Sequence, residues 1–119
     1  MSKPDLVRPF LPTRDFDLSL RFYKALGFEC VFEGEVAIFA AGSGGFILQR
    51  YYQAEWAGNS MMQFVVDDLD AKWAEIERLN LATTFGVPEP KPPAMQPWGF
   101  RVAYVVDPAG VLWHVVERH

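Results

Sequence analysis

His114 is the one histidine inside the chain, and it sits in the apolar, β-branched run Val111–Val116. An imidazole there could act as a proton acceptor, a metal ligand or a hydrogen-bonding contact, or serve as a satisfied structural group. The sequence sets no Ser or Cys beside it to make a nucleophile–base pair. Glu117 falls on the opposite face by strand alternation. The acids Asp67-Asp68 and Glu33/Glu35 are accounted for as helix-cap and turn residues. Cys30 is the only cysteine and lies in a strand-like run, which reads as a buried reduced thiol. No catalytic residue is therefore assigned. The other conspicuous chemistry is aromatic. Trp98 stands in Gln96-Pro97-Trp98-Gly99, at the end of a segment, Gly86–Gly99, that holds five prolines. A proline-bounded loop tip is normally at the surface and ordered at low entropic cost. Such a ring could stack on a flat heteroaromatic ligand, adding about 0.5–1.5 kcal/mol beyond the buried area.

The elements that must hold these residues are legible in turn. Phe100–Asp107 reads as a strand and Val111–Arg118 as its return. Asp107-Pro108-Ala109-Gly110 between them has the residues of a type I β-turn. At the other end, Leu6–Pro12 is a strand candidate whose Pro9 and Pro12 make it an edge or a bend. Thr13–Gly27 reads as a helix capped by Asp15, with Leu18, Phe22 and Leu26 on one face and Gly27 as a left-handed stop. Phe28–Glu33, Val36–Ala41 and Gly45–Arg50 follow as strands, then Tyr51–Asn59 as a loop carrying Trp56, then the strand Met61–Val66. A second helix spans Asp67–Asn80, capped by Asp68 and facing the core through Leu69, Trp73, Ile76 and Leu79. A short strand is expected at Ala82–Phe85. Gly86–Gly99 is too proline-rich for helix and barely compatible with sheet.

The order βαβββ thus occurs twice. Asp15-Phe16-Asp17 and Asp68-Leu69-Asp70 open the helices 53 positions apart, and Gly27 meets Asn80 at the same offset. Gly45–Gln49 matches Gly110–His114 at an offset of 65, with the additional residues falling in the proline-rich loop. The fold class expected is α+β, a single domain over residues 1–119 with one repeat at about 5–53 and the other at about 60–118. A chain of 119 residues can bury roughly two thirds of its unfolded surface without staples. Its net charge of −4 argues against a nucleic-acid partner and is compatible with a cationic ligand. No apolar run is long enough for a membrane span and no signal-like leader stands at the start, so a cytoplasmic location is expected.

The motifs Arg14-Asp15-Phe16-Asp17…Phe22-Tyr23…Leu26-Gly27-Phe28, Asp67-Asp68-Leu69-Asp70 and Asp107-Pro108-Ala109-Gly110 occur in this order over essentially the whole chain. Together they resemble the vicinal-oxygen-chelate superfamily of glyoxalases, extradiol dioxygenases, and fosfomycin and bleomycin resistance proteins. Pro9, Leu11-Pro12-Thr13-Arg14-Asp15, the Gln96–Gly99 loop and the turn leading to His114 are most similar to the bleomycin resistance proteins. The resemblance implies paired βαβββ modules in a curved mixed sheet, and a homodimer with exchanged or packed N-terminal strands. It also implies drug grooves at the dimer interface. Metal enzymes of the superfamily take ligands from four strands, at positions that correspond here to Arg8, Gln49, Met61 and His114. Arginine is a fixed cation and methionine a soft ligand, which leaves one imidazole and one amide. Neither a metal nor another cofactor is expected. The function implied is metal-free binding of a small molecule, a flat aromatic and cationic antibiotic or metabolite, by sequestration. The expected contacts are the rings Trp98, Trp56, Phe32 and Phe39, with Arg8, Gln49, Met61, Gln63 and His114 in an apolar cup. The alternative is a metal-dependent lyase or dioxygenase.

Overall fold

The computed structural model describes residues 5–118; the first four residues and His119, part of the expected domain span, lie outside the described residues. The strands are β1 (Phe10–Pro12), β2 (Glu29–Glu33), β3 (Ala37–Ala41), β4 (Gly44–Gln49), β5 (Met61–Val66), β6 (Lys91–Met95), β7 (Arg101–Val106) and β8 (Leu112–Glu117). The helices are α1 (Phe16–Ala25), α2 (Ala54–Asn59), α3 (Leu69–Leu79) and α4 (Leu81–Phe85). The strands form two mixed sheets with the same order, β1-β4-β3-β2 and β5-β8-β7-β6. In each, the first strand runs parallel to the last and the other pairs are antiparallel. This is the α+β architecture of a doubled βαβββ unit.

Local chemistry explains most boundaries. Asp15 Oδ1 accepts from the Leu18 amide at 3.1 Å and Asp68 Oδ1 from the Ala71 amide at 3.0 Å, so both longer helices start on a capping aspartate. Asn80, at φ 49°, ends α3 in the left-handed region.

Four expectations are corrected. The first strand is only Phe10–Pro12, because Pro9 supplies no amide to the ladder. Tyr51–Asn59 contains the short helix α2. Ala82–Phe85 is helical: Leu81 is buried and Phe85, four residues on, packs edge-on against Phe22 with ring centres 5.4 Å apart. Burial of that i, i+4 pair outweighs the β-branched Thr83-Thr84. The proline-rich segment supplies a strand after all, since the register shifts between Lys91 and Ala94 and puts Pro92 and Pro93 where no ladder bond is required.

The core lies on the helix side of both sheets. Tyr23 and Phe22 of α1 are wholly buried, and the Tyr23 ring packs on Phe46 at 4.8 Å and on Trp113 at 5.6 Å, so one aromatic layer joins the two halves. The β3–β4 pairing is tightest at Gly45, where an added Cβ would stand 2.2 Å from the Phe39 carbonyl oxygen. Gly45→Ala is accordingly expected to lower stability by about 2–3 kcal/mol, because backbone rather than a mobile side chain must yield. Urea unfolding checks it, and an unchanged midpoint would mean the hairpin shifts freely.

Candidate ligand-binding site

The face of each sheet away from the core carries the groups available to a ligand. Along β5, Met61, Gln63 and Val65 are exposed while Met62, Phe64 and Val66 turn inward. Cross-strand pairing fixes their neighbours. Gln63 lies opposite His114 and His114 opposite Tyr104; Met61 lies opposite Leu112 and Leu112 opposite Val106. The Tyr104 and His114 rings meet edge-to-face at 4.9 Å. His114 Nε2 is buried and has no hydrogen-bond partner. A buried polar atom left unpaired is costly, so this one is a group that a bound molecule could satisfy. Sheet one presents a matching row, Phe10–Ile47–Ile38–Phe32, one residue from each strand. Its two ends, Phe10 and Phe32, are each half exposed.

Of the sequence-selected residues, Met61, Gln63 and His114 are brought together, and Phe32 stands in the second row. Gln49 is half-buried next to Pro12, its main-chain oxygen accepting from Thr13 Oγ1 at 2.7 Å. Phe39 is corrected: it is wholly buried and stacks on Phe46 at 5.2 Å, so its ring serves the core and faces no ligand. Trp56 rides on α2 against Tyr51, ring centres 6.2 Å apart. Trp98 is 57% exposed on the β6–β7 turn, which the bonds Gln96 N to Phe100 O and Gly99 N to Gln96 O, both 2.9 Å, close. No ring contact among the described residues joins Trp98 to Trp56. Tyr104 was overlooked, although alternation along Phe100–Asp107 and the hairpin turn would have set it beside His114.

Arg8 is also corrected as a ligand-equivalent position. Phe10 pairs with Ile47 exactly as Met61 pairs with Leu112, and those partners are the 65-offset pair. Phe10 and Met61 are 51 positions apart, whereas the helix starts Phe16 and Leu69 are 53 apart. The second strand-to-helix connection is two residues longer, so Phe10 and not Arg8 is the counterpart of Met61. Arg8 precedes the strand, half-buried, with its Nε unpartnered. The residues present do not fit a divalent cation. The corresponding positions offer Phe10, Pro12, Met61 and Gln63 beside Gln49 and His114, and no group of three His, Cys, Asp or Glu among the described residues could hold an ion.

One polar constellation lies in the interior. Tyr23 Oη donates to Asp107 Oδ2 at 2.5 Å, and Trp113 Nε1 donates to Tyr23 Oη at 2.9 Å. Asp107 Oδ1 accepts from the amides of Ala109, Gly110 and Val111 at 2.8–2.9 Å. Burial pushes the Asp107 carboxyl above its ordinary range against these donors, and pushes the Tyr23 hydroxyl up as well. The network ties α1 to the β7–β8 turn; it faces no open surface.

Two mixed βαβββ sheets with open outer faces define the class, and the chain belongs to the Glyoxalase/Bleomycin resistance protein/Dioxygenase superfamily, whose model matches residues 5–115. The chain is 30% identical to the bleomycin resistance protein of Klebsiella pneumoniae, over 96% of this chain and 93% of that one. It superposes on a bleomycin-binding protein complexed with bleomycin with a TM-score of 0.81 at 28% identity, covering 98% of this chain and 100% of the other. The bleomycin-binding protein of Streptomyces verticillus complexed with copper(II)-bleomycin matches at 0.78 and 28% identity, with 100% of both chains covered. No helix among the described residues is long and apolar enough to cross a membrane.

Proposed function

We propose that this protein sequesters a flat aromatic, cationic antibiotic of the bleomycin kind, without transforming it, in a groove closed by a second copy of the chain. The observation that carries the reading is the unpartnered, buried His114 Nε2 among exposed Met61, Gln63 and half-buried Tyr104. The half-exposed Phe10 and Phe32 on the other sheet support it, since exposed apolar faces of this kind are characteristic of binding surfaces. In this reading His114, Gln63, Gln49 and Arg8 orient the ligand, and Met61 and Phe32 provide apolar wall. Trp98 and Trp56 stack on the ligand, being carried to one groove from different protomers. The net charge of −4 favours a cationic guest over a nucleic acid.

Titration with bleomycin and with copper(II)-bleomycin, followed by tryptophan fluorescence and calorimetry, tests the reading. Saturable binding with a Trp98-dependent signal is expected, and absence of heat and signal with both would defeat it. Protein purified without chelators is expected to carry no stoichiometric Mn, Fe, Ni or Zn by elemental analysis. One equivalent of any of these would favour a metal-dependent lyase or dioxygenase instead.

A further inference from the structure

A row of four polar side chains crosses the open face of the second sheet. Strand pairing sets Gln63 of β5 opposite His114 of β8, His114 opposite Tyr104 of β7, and Tyr104 opposite Lys91 of β6. Residues directly across a ladder share a face, so all four stand on the side away from the helices. Three strand spacings separate the ends of the row, about 14 Å. Apolar rows border it, Met61–Leu112–Val106 on one side and Val65–Val116–Val102–Ala94 on the other. Sheet one does not repeat the pattern. There Gln49 holds the place that His114 has in the second repeat; it pairs with Pro12 on one side and has no β3 partner in the register on the other.

The fold makes little use of these four groups. Among the described residues no hydrogen bond or ion pair uses the side chain of Gln63, Tyr104 or Lys91, and His114 Nε2 is shielded from water and unbonded. The ion pairs present use Lys24, Lys72, Arg101 and Arg118. Gln63 and Lys91 are exposed, and the Tyr104 ring is steadied by its edge-to-face contact with His114 at 4.9 Å. Pro92 and Pro93 follow Lys91, and their fixed φ stiffens the backbone that carries it. An ammonium group only donates hydrogen bonds, and a phenol hydroxyl can donate one. The β6–β7 end of the row therefore presents donors and an unpaired positive charge, in a chain whose net charge is −4.

We infer that this row sets the specificity of the sequestering face. The guest lies across the strands and places an oxygen acceptor, a carbonyl or a carboxylate, against Lys91 Nζ and Tyr104 Oη, with its cationic group held elsewhere. The inference rests on the sequestration reading for the identity of the face, and it adds β6 and β7 to the strands that contact the guest. A molecule that brings only a cation meets a like charge at Lys91 and is disfavoured, whereas one that also brings an acceptor oxygen satisfies it.

The test titrates the full chain with bleomycin and, separately, with quinoline-4-carboxylate, a flat heteroaromatic ring that carries the acceptor alone. Calorimetry gives the affinities and NMR follows the side-chain resonances of Lys91 and Tyr104, which are expected to move with both probes. Lys91→Glu is expected to weaken both by about tenfold or more, and Tyr104→Phe, which keeps the ring, by about fivefold. Arg78→Glu makes the same change in net charge from an exposed position on α3, on the helix side of the sheet, and is expected to leave both affinities within about twofold. Tighter binding of bleomycin by Lys91→Glu would overturn the inference, because the row would then face the cation of the guest. Equal effects of Lys91→Glu and Arg78→Glu would overturn it too, as would resonances of Lys91 and Tyr104 that quinoline-4-carboxylate leaves unmoved. Binding of bleomycin by the parent chain is read on its own. Its absence defeats the sequestration reading, while bleomycin binding that is indifferent to Lys91 and Tyr104 defeats only this inference.

Discussion

Asp107→Ala is expected to destabilise the protein by about 3–5 kcal/mol, the largest effect of any single substitution considered. The carboxylate is 2% exposed and takes four donated hydrogen bonds, three from main-chain amides of its own turn and one from Tyr23. Alanine leaves three of the four donors without an acceptor, since the Gly110 amide keeps the main-chain oxygen of residue 107 at 3.0 Å. The Tyr23 hydroxyl, buried completely, has no water to turn to. Against a typical total of about 5–15 kcal/mol, such a loss takes a large share of the stability. Tyr23→Phe removes two links, orphaning Asp107 Oδ2 and Trp113 Nε1, and is expected to cost about 1–3 kcal/mol. Since the two act through one bond, the double variant should cost less than the sum of the singles. Urea midpoints measure all three, and a loss below about 1 kcal/mol for Asp107→Ala would mean that water enters and replaces the carboxylate. The pH dependence has a defined sign. Burial raises the folded-state value of Asp107, so its contribution to stability is complete below the ordinary carboxylate range and is lost as pH rises through the raised value. Asp107→Asn should flatten that part of the profile.

Trp98→Ala is expected to weaken bleomycin binding by about 1.5–3 kcal/mol, roughly tenfold to somewhat above a hundredfold. The unfolding midpoint should not move, because the ring is more than half exposed and its turn is closed by main-chain bonds that do not involve the side chain. Trp98→Phe should restore part of the affinity, as a smaller stacking surface would. Affinity equal to the parent in the alanine variant would remove Trp98 from the groove. A fall in stability alongside affinity would instead assign it to packing between copies.

Local signals were read reliably wherever a single residue type settles the backbone. Asp15 and Asp68 cap their helices, Asn80 takes the left-handed stop, and Asp107-Pro108-Ala109-Gly110 makes the turn, with Gly110 N bonding Asp107 O at 3.0 Å. Signals failed where tertiary burial competes with propensity. The two threonines in Leu81–Phe85 suggested a strand, but the buried face of Leu81 and Phe85 made a helix. Pro92 and Pro93 suggested no strand, but a bulge in an edge strand accommodates both. Phe39 was misplaced because Ala37–Ala41 is apolar on both faces, and alternation alone does not say which face meets the core. Tyr23 of α1 decides it by packing against that ring at 5.8 Å.

By itself, then, the order of the residues determined the doubled βαβββ plan, the helix ends, the hairpin that carries His114 and the surface position of Trp98. Each depends on spacing and backbone preference within a few neighbours. Only the tertiary structure decided strand register across the sheets, which replaces Arg8 by Phe10 as the counterpart of Met61 and sets Tyr104 against His114. It alone turned Asp107 from a turn residue into the hub of a buried network. Register, burial and edges depend on which distant segments meet, and neighbouring residues along the chain carry little information about that.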